Sequence, residues 1–429
     1  MMPGRFTLSL GFALLCSAFF NTSLAQNYDI KRISSPNSAN RDPVISETGN
    51  AAWTYYATNE QDSAYSHIAL YDNARKLMDD KTLLLFVGAS KLVFQSNNLA
   101  FVSSYLDTKM RRLQRPGLKL PGETNVTTVK EGSLDSYATN AVSFNFSELE
   151  QNDKKSEGVD LTTVWVWSFG GSNVQRMEAS RLNNIAPDIW GNLITWQWEQ
   201  DWPFGYEIMY LKGVDAVQLT TNKNYDLGPV THGDKIAWFG WDGYDYEVFL
   251  FDTTQQTTIQ ITSNRFDDTG VQLFNDVLVW EGYAGVEADI YVWKNGETVK
   301  ISDNLDDDVN PRIWDGKVVW QGFDGDDFEL YLYDVNSAAP AVKLTSNNYD
   351  DTNPDIHNGL IAWMGYHDNW DAEIFVADVS GMSSPANLNI IRLTDNDDED
   401  RDVRTAGGRL VWVNEEIEGK PQIMLAEPR

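Results

Sequence analysis

Residues 305–334 read LDDDVNPRIWDGKVVWQGFDGDDFELYLYD, and the order of runs and breaks within them decides the fold. Arg312-Ile313-Trp314 is a short apolar-leaning run stopped by Asp315-Gly316, a dipeptide that favours hairpin turns. Lys317 to Gln321 alternates polar and apolar residues around Trp320, Gly322 to Asp327 supplies loop chemistry, and Phe328 to Tyr333 resumes a β-rich run. Beyond a loop at 336–340, Val342-Lys343-Leu344-Thr345 offers a fourth strand. One unit is therefore expected to be a four-stranded antiparallel meander.

The unit recurs. Trp196, Trp238, Trp280, Trp320, Trp363 and Trp412 are separated by 42, 42, 40, 43 and 49 residues. An Asn stands 16 residues before the last five of them (Asn222, Asn264, Asn304, Asn347, Asn396), and an aliphatic residue 19 before (Leu219, Ile261, Ile301, Leu344, Leu393). An acid follows each of the first five, at Glu207, Glu247, Asp289, Glu329 and Glu373. Four short strands at a period near 42 are the signature of a β-propeller, in which each blade buries its faces against its neighbours. The expected fold is all-β, a propeller of four-stranded antiparallel blades.

Counting every unit gives nine. Unit one is marked by Trp53. Unit two is divergent, with strand-like runs at 83–87, 91–95 and 99–107, Phe94 in the tryptophan column, and a Pro/Gly loop at 115–122. Unit three has Phe144 in that column, then a polar excursion at 147–160 and a strand at 162–169. Units four to nine run regularly from Trp196 to Trp412, and discounting the divergent second unit gives eight. Asn27 to Ser34 reads as a lone fourth strand, with Ile33-Ser34 in the place of Leu344-Thr345, and Pro421 to Ala426 as a third strand. Together they would complete the last blade, closing the ring and leaving no free sheet edge.

The unit N-x-x-D-D-x-x-P-x-I, an aliphatic-x-W strand, D-G-x-D-x-E before a third strand, and a final L-T resembles the TolB-type propeller repeat, of the WD40-like kind. Asp350-Asp351, Pro354, Asp324-Gly325, Glu329 and Leu344-Thr345 carry the resemblance, which covers residues 180–429 best. It departs in the first turn, where the family's Ser-Pro-Asp-Gly is reduced to Trp-Asp-Gly-Lys at 314–317 and His-Gly-Asp-Lys at 232–235. The resemblance implies a propeller and, for TolB-like proteins, protein contacts in the periplasm.

The chain begins with Arg5, an apolar segment from Leu8 to Phe20, and Ser23-Leu24-Ala25, the pattern of a cleaved secretory leader over 1–25. The expectation is an exported protein, periplasmic or extracellular, with one domain over 26–429. Cys16 is the sole cysteine and lies in the leader, so thiol catalysis and disulfides are excluded from the remainder. No later apolar run approaches 18 residues, so no transmembrane helix is expected. With 63 acidic against 33 basic residues the formal charge is −30, which argues against nucleic acid and anionic membranes as partners. Cations, neutral sugars and basic protein surfaces stay open, and a monomer is expected.

In a propeller the linkers between blades and the loops between second and third strands emerge on one face, and both sets are acidic here. The linkers hold Asp267-Asp268, Asp306-Asp307-Asp308, Asp350-Asp351 and Asp397 to Asp400. The strand-two tryptophans are read as blade packing, and the linker Asp and Asn residues as turn caps. Candidate ligand contacts are the loop residues Trp202, Trp241, Asp242, Asp245, Tyr283, Phe323, Asp324, Asp326, Trp370 and Asp371. Asp324, Asp326 and Asp327 are candidates for structural calcium, a hard cation that wants six to eight oxygens, though the loop lacks the ligand order of an EF-hand. No other cofactor is expected. The four histidines are scattered and no G-x-S-x-G elbow occurs. Two readings follow: a non-catalytic binding or scaffold module taking a protein or glycan, and, alternatively, a polysaccharide lyase or glycosidase using carboxylates on the same face.

Overall fold

The computed structural model describes residues 28–34, 39–56, 66–75, 77–79, 87–95, 98–104, 162–168, 174–177, 184–200, 205–213, 216–222, 224–302, 304–337, 339–366, 371–382, 387–415 and 419–429. Their strands form eight four-stranded antiparallel sheets. The quoted stretch builds blade six: Asp308–Trp314 pairs with Lys317–Phe323, that strand with Phe328–Asp334, and the third with Val342–Lys343. Blades one to eight open with the strands Ala39–Ile45, Val87–Gln95, Asn184–Trp190, Asp226–His232, Asp268–Phe274, Asp308–Trp314, Asp351–His357 and Glu399–Ala406. Each opening strand packs on the next, and that of blade eight packs on that of blade one.

The core is divided among the blade junctions. Among the described residues eight apolar clusters are found, one at each junction, and seven contain the column tryptophan of the later blade. Blade two is the exception. Its column residue is Phe101, which stands opposite Trp165 as Trp320 stands opposite Tyr331, and which is fully buried against blade one. Phe94 lies instead on that blade's first strand, half-buried.

This corrects the count of nine. Asn98–Ser104 pairs directly with Thr162–Ser168, so the two irregular units are one blade, and residues 105–161 fall between its second and third strands. An insertion inside a blade breaks the period without adding a blade. Phe144 and the 147–160 excursion lie outside the described residues, as do the Pro/Gly loop at 115–122 and the leader.

Closure takes the expected form. Tyr28–Arg32 pairs antiparallel with Gln422–Pro428 as the fourth strand of blade eight. Ser34 Oγ accepts the Ile423 N–H at 2.9 Å, as Thr345 Oγ1 accepts the Leu330 N–H at 2.8 Å in blade six. Ile33 joins the cluster between blades eight and one.

Every opening strand carries a β-bulge with one residue at positive φ: Asp42, Lys91, Ala186, Gly228, Gly270, Asn310, Asn353 and Asp402. In five blades the next residue is proline (Pro43, Pro187, Pro229, Pro311, Pro354), which a bulge accommodates because no ladder N–H is lost there. The bulges also join blades: Gln197, Glu281 and Gln321 accept the N–H of Gly228, Asn310 and Asn353 in the following blade, at 2.8–2.9 Å.

Candidate ligand-binding face

Linkers and second-to-third-strand loops do share a face. Asp267 accepts the Tyr246 N–H at 3.0 Å, Asp307 the Ala288 N–H at 2.9 Å and Asp350 the Phe328 N–H at 2.9 Å, each from a linker to the first residue of the third strand of the blade before it or, for Ala288, to the residue just ahead of that strand. The acid at the start of each of five opening strands turns inward. Asp226, Asp268, Asp308, Asp351 and Asp400 are almost fully buried and accept the indole N–H of Trp238, Trp280, Trp320, Trp363 and Trp412 at 2.7–3.0 Å. Asn184 and Asn40 do the same for Trp196 and Trp53. The other carboxylate oxygen takes the side-chain N–H of the linker Asn in four blades, through Asn222, Asn264, Asn347 and Asn396. Burial pushes these acids up, Asp226 and Asp308 to about 6 and Asp351 to about 7, against the donors that hold them down.

The third-strand glutamates hold the same junction. Glu247, Glu329 and Glu373 are fully buried, and one oxygen of each accepts the linker N–H of Asn264, Asn347 or Asn396. The acidic repeat is thus in large part internal wiring, and the tryptophan–carboxylate bond is the part that sequence alone did not show.

The candidate contacts separate accordingly. Trp241 packs edge-on against Tyr246, and Phe323 against Phe328, so both are half-buried in their own blades. Tyr283 donates to Glu281 at 3.1 Å, and burial together with that acid raises its hydroxyl to about 12. Asp242 and Asp324 stay exposed and cap their own loops, Asp245 is buried, Asp326 is exposed and Asp371 half-buried. Trp202 and Trp370 lie outside the described residues. Of the calcium candidates, Asp324 and Asp327 converge with Glu329 rather than with Asp326. The Lys343 ammonium also lies there, 2.6 Å from Asp324 and 3.4 Å from Glu329.

Among the described residues, five large apolar side chains are exposed on this face instead. Tyr225, Phe266 and Leu305 belong to three successive linkers, and Tyr244 and Val286 to the loops of blades four and five; Tyr244, Val286 and Leu305 are 88–90% exposed. They sit beside the exposed carboxylates of Asp242, Asp267 and Asp307.

The opposite face carries a run of stacked rings. The last residues of five successive opening strands stack in series, Trp190 on His232 at 3.7 Å, His232 on Phe274 at 4.3 Å, Phe274 on Trp314 at 4.8 Å and Trp314 on His357 at 3.8 Å between ring centroids. Trp190 also approaches Trp314, three blades away, at 6.5 Å. Both histidines accept an N–H from the next blade through Nδ1, Asn275 to His232 and Gly407 to His357, and burial lowers the His232 imidazole to about 4. They are neutral structural residues.

No protein-family model matches the chain, and no curated protein matches it. Solved structures do. The C-terminal WD40 domain of Sif2 matches with a TM-score of 0.53 at 12% identity, over 93% of this chain and 99% of that one. The computationally designed Ika8 protein matches at 0.51 and 13%, over 91% and 98%. The β-propeller domain of the Trilobed protease from Pyrococcus furiosus, described as having an open velcro topology, matches at 0.50 and 11%, over 80% and 93%. The chain is a β-propeller. It spans 55 to 60% of the length of the peptidase structures it also resembles, and at these identities the likeness is one of fold.

Proposed function

We propose that this propeller is a non-catalytic binding module whose acidic face takes a protein ligand presenting basic and apolar side chains. One observation carries the reading: Tyr225, Tyr244, Phe266, Val286 and Leu305 are exposed on one face of consecutive blades, among carboxylates. Exposed apolar groups rimmed by charge mark interaction surfaces, and the sign of the rim selects a basic partner. The TolB-type resemblance of the repeat supports a protein rather than a glycan. An exported setting accords with the leader-like residues 1–25.

The test is a peptide array of lysine- and arginine-rich sequences with apolar anchors, run beside a glycan array. Binding to basic peptides should fall with salt and be lost in a Tyr244→Asp, Leu305→Asp double variant of unchanged melting temperature. Retention of peptide binding by that variant, or binding to glycans alone, would refute the proposal.

A further inference from the structure

The third-strand acids Glu207, Glu247, Asp289, Glu329 and Glu373 are buried or half-buried, and three of them share one means of neutralisation. The outer-strand residues at one register position, opposite Tyr291, Tyr331 and Phe375, are Lys300, Lys343 and Arg392. Each ion-pairs with the third-strand acid of its own blade: Lys300 with Asp289 at 2.7 Å, Lys343 with Glu329 at 3.4 Å, Arg392 with Glu373 at 2.8 Å. In blade four the same position, opposite Phe249, is Gln260.

Blade four also brings three acids together, as blade six does. Asp242, Asp245 and Glu247 each bring a carboxylate oxygen within 4.8 Å of the others. Among the described residues, both oxygens of Asp245, 7% exposed, and Oε2 of Glu247, fully buried, have no hydrogen-bond partner. Among the described residues none of the three has an ion-pair partner within 4.0 Å, and Arg265, on the adjoining linker, is exposed. The neighbouring acids are already committed, Asp267 to the Tyr246 N–H and Asp268 to Trp280 and Asn264. Two buried carboxylates, Asp245 and Glu247, beside the exposed Asp242, with no counter-charge among the described residues, are expensive, and a hard cation satisfies unpartnered oxygens that no donor reaches. Three oxygens within 4.8 Å of one another lie no more than about 2.8 Å from a common centre, so a small inward shift of the side chains brings them to the Ca²⁺–oxygen distance of about 2.4 Å.

We infer that Asp242, Asp245 and Glu247 bind one Ca²⁺ ion, which supplies in blade four the positive charge that Lys300, Lys343 and Arg392 supply in blades five to seven. Water would complete the coordination from the exposed side, where Asp242 lies. The chemistry is that of a structural ion: it fixes the turn that carries the exposed Tyr244.

The experiment uses the full chain stripped with chelator, Ca²⁺ titration by calorimetry, and terbium luminescence sensitised by Trp241. The wild type should take up one ion and gain melting temperature. Gln260→Lys, which places in blade four the cation that blade six already has, should lose the ion and melt in chelator as high as the calcium-loaded wild type. Lys343→Gln, which frees Asp324, Asp327 and Glu329, should raise the uptake to two. A wild type without saturable uptake, or with uptake that Gln260→Lys leaves intact, would overturn the inference, the latter showing only diffuse attraction to a highly acidic chain.

Discussion

Replacing Asp351 by Asn should make the protein more stable in alkali and less stable in acid. Asp351 is 1% exposed, receives Trp363 Nε1 at 2.8 Å and Asn347 Nδ2 at 2.6 Å, and has its carboxyl raised by burial from 3.8 to about 7. Between those values the folded state holds a proton that the unfolded chain has released, so stability falls as pH rises through the window. For this one group the decline amounts to as much as ~4 kcal/mol once the pH is above 7. Asparagine cannot ionise, and its Oδ1 can still accept the indole, as Asn184 does for Trp196. It forfeits the acceptor facing Asn347, at about 1 kcal/mol. The net expectation is a gain of about 1–3 kcal/mol at pH 8 and a loss of about 1 kcal/mol at pH 4. Urea unfolding at pH 4, 6 and 8 measures it. Equal displacement of the wild-type and variant midpoints at all three values would refute the reasoning, since it would mean that the carboxyl titrates alike in the folded and unfolded states.

Phe101→Ala should cost about 3–5 kcal/mol in chemical unfolding, while Phe94→Ala, at a half-buried site, should cost clearly less; the reverse order would return Phe94 to the tryptophan column. Gly322 faces Asp308 in register, and a Cβ there would fall inside van der Waals contact of the carboxylate that holds Trp320, so Gly322→Ala should lower stability by about 1–3 kcal/mol and red-shift tryptophan emission. Ser34→Ala removes the acceptor of the Ile423 N–H and the donor to Gln422, and should cost about 1–3 kcal/mol by thermal melting, with blade eight losing amide-exchange protection first.

The parts of this fold legible in sequence are those that every blade must repeat. Tryptophan, linker asparagine and strand-four aliphatic stay in step because each fills the same place at a blade junction, and Ile33-Ser34 could be matched to Leu344-Thr345 for that reason. Blade two escaped because the residues between Ser104 and Thr162 separate two strands that pair, and a reading by period counts such an interval as another unit. At the acidic face the difficulty was of another kind. Asp324, Asp326 and Asp327 look equivalent in a loop, but the third strand begins at Phe328, and it is Glu329, two positions beyond Asp327, that joins Asp324. Alternation of period two was the available signal. Nothing in the sequence distinguishes Tyr244, left outside, from Tyr246, packed on Trp241; the turn at 242–245 decides that.

The seam between Tyr28–Arg32 and Gln422–Pro428 also sets a schedule. Ser34 and Gln422, 2.9 Å apart in the finished ring, are separated by 388 positions of chain. At a synthesis rate of about 5–20 residues per second, the first strand waits roughly 20 to 80 s for its partner to exist. During that interval it is an unpaired β-segment in a crowded cell, open to pairing with another copy. Its sequence, YDIKR, has one aliphatic residue among three charges, a composition that resists adventitious pairing. The residues that close the ring are thus also suited to the time before it closes.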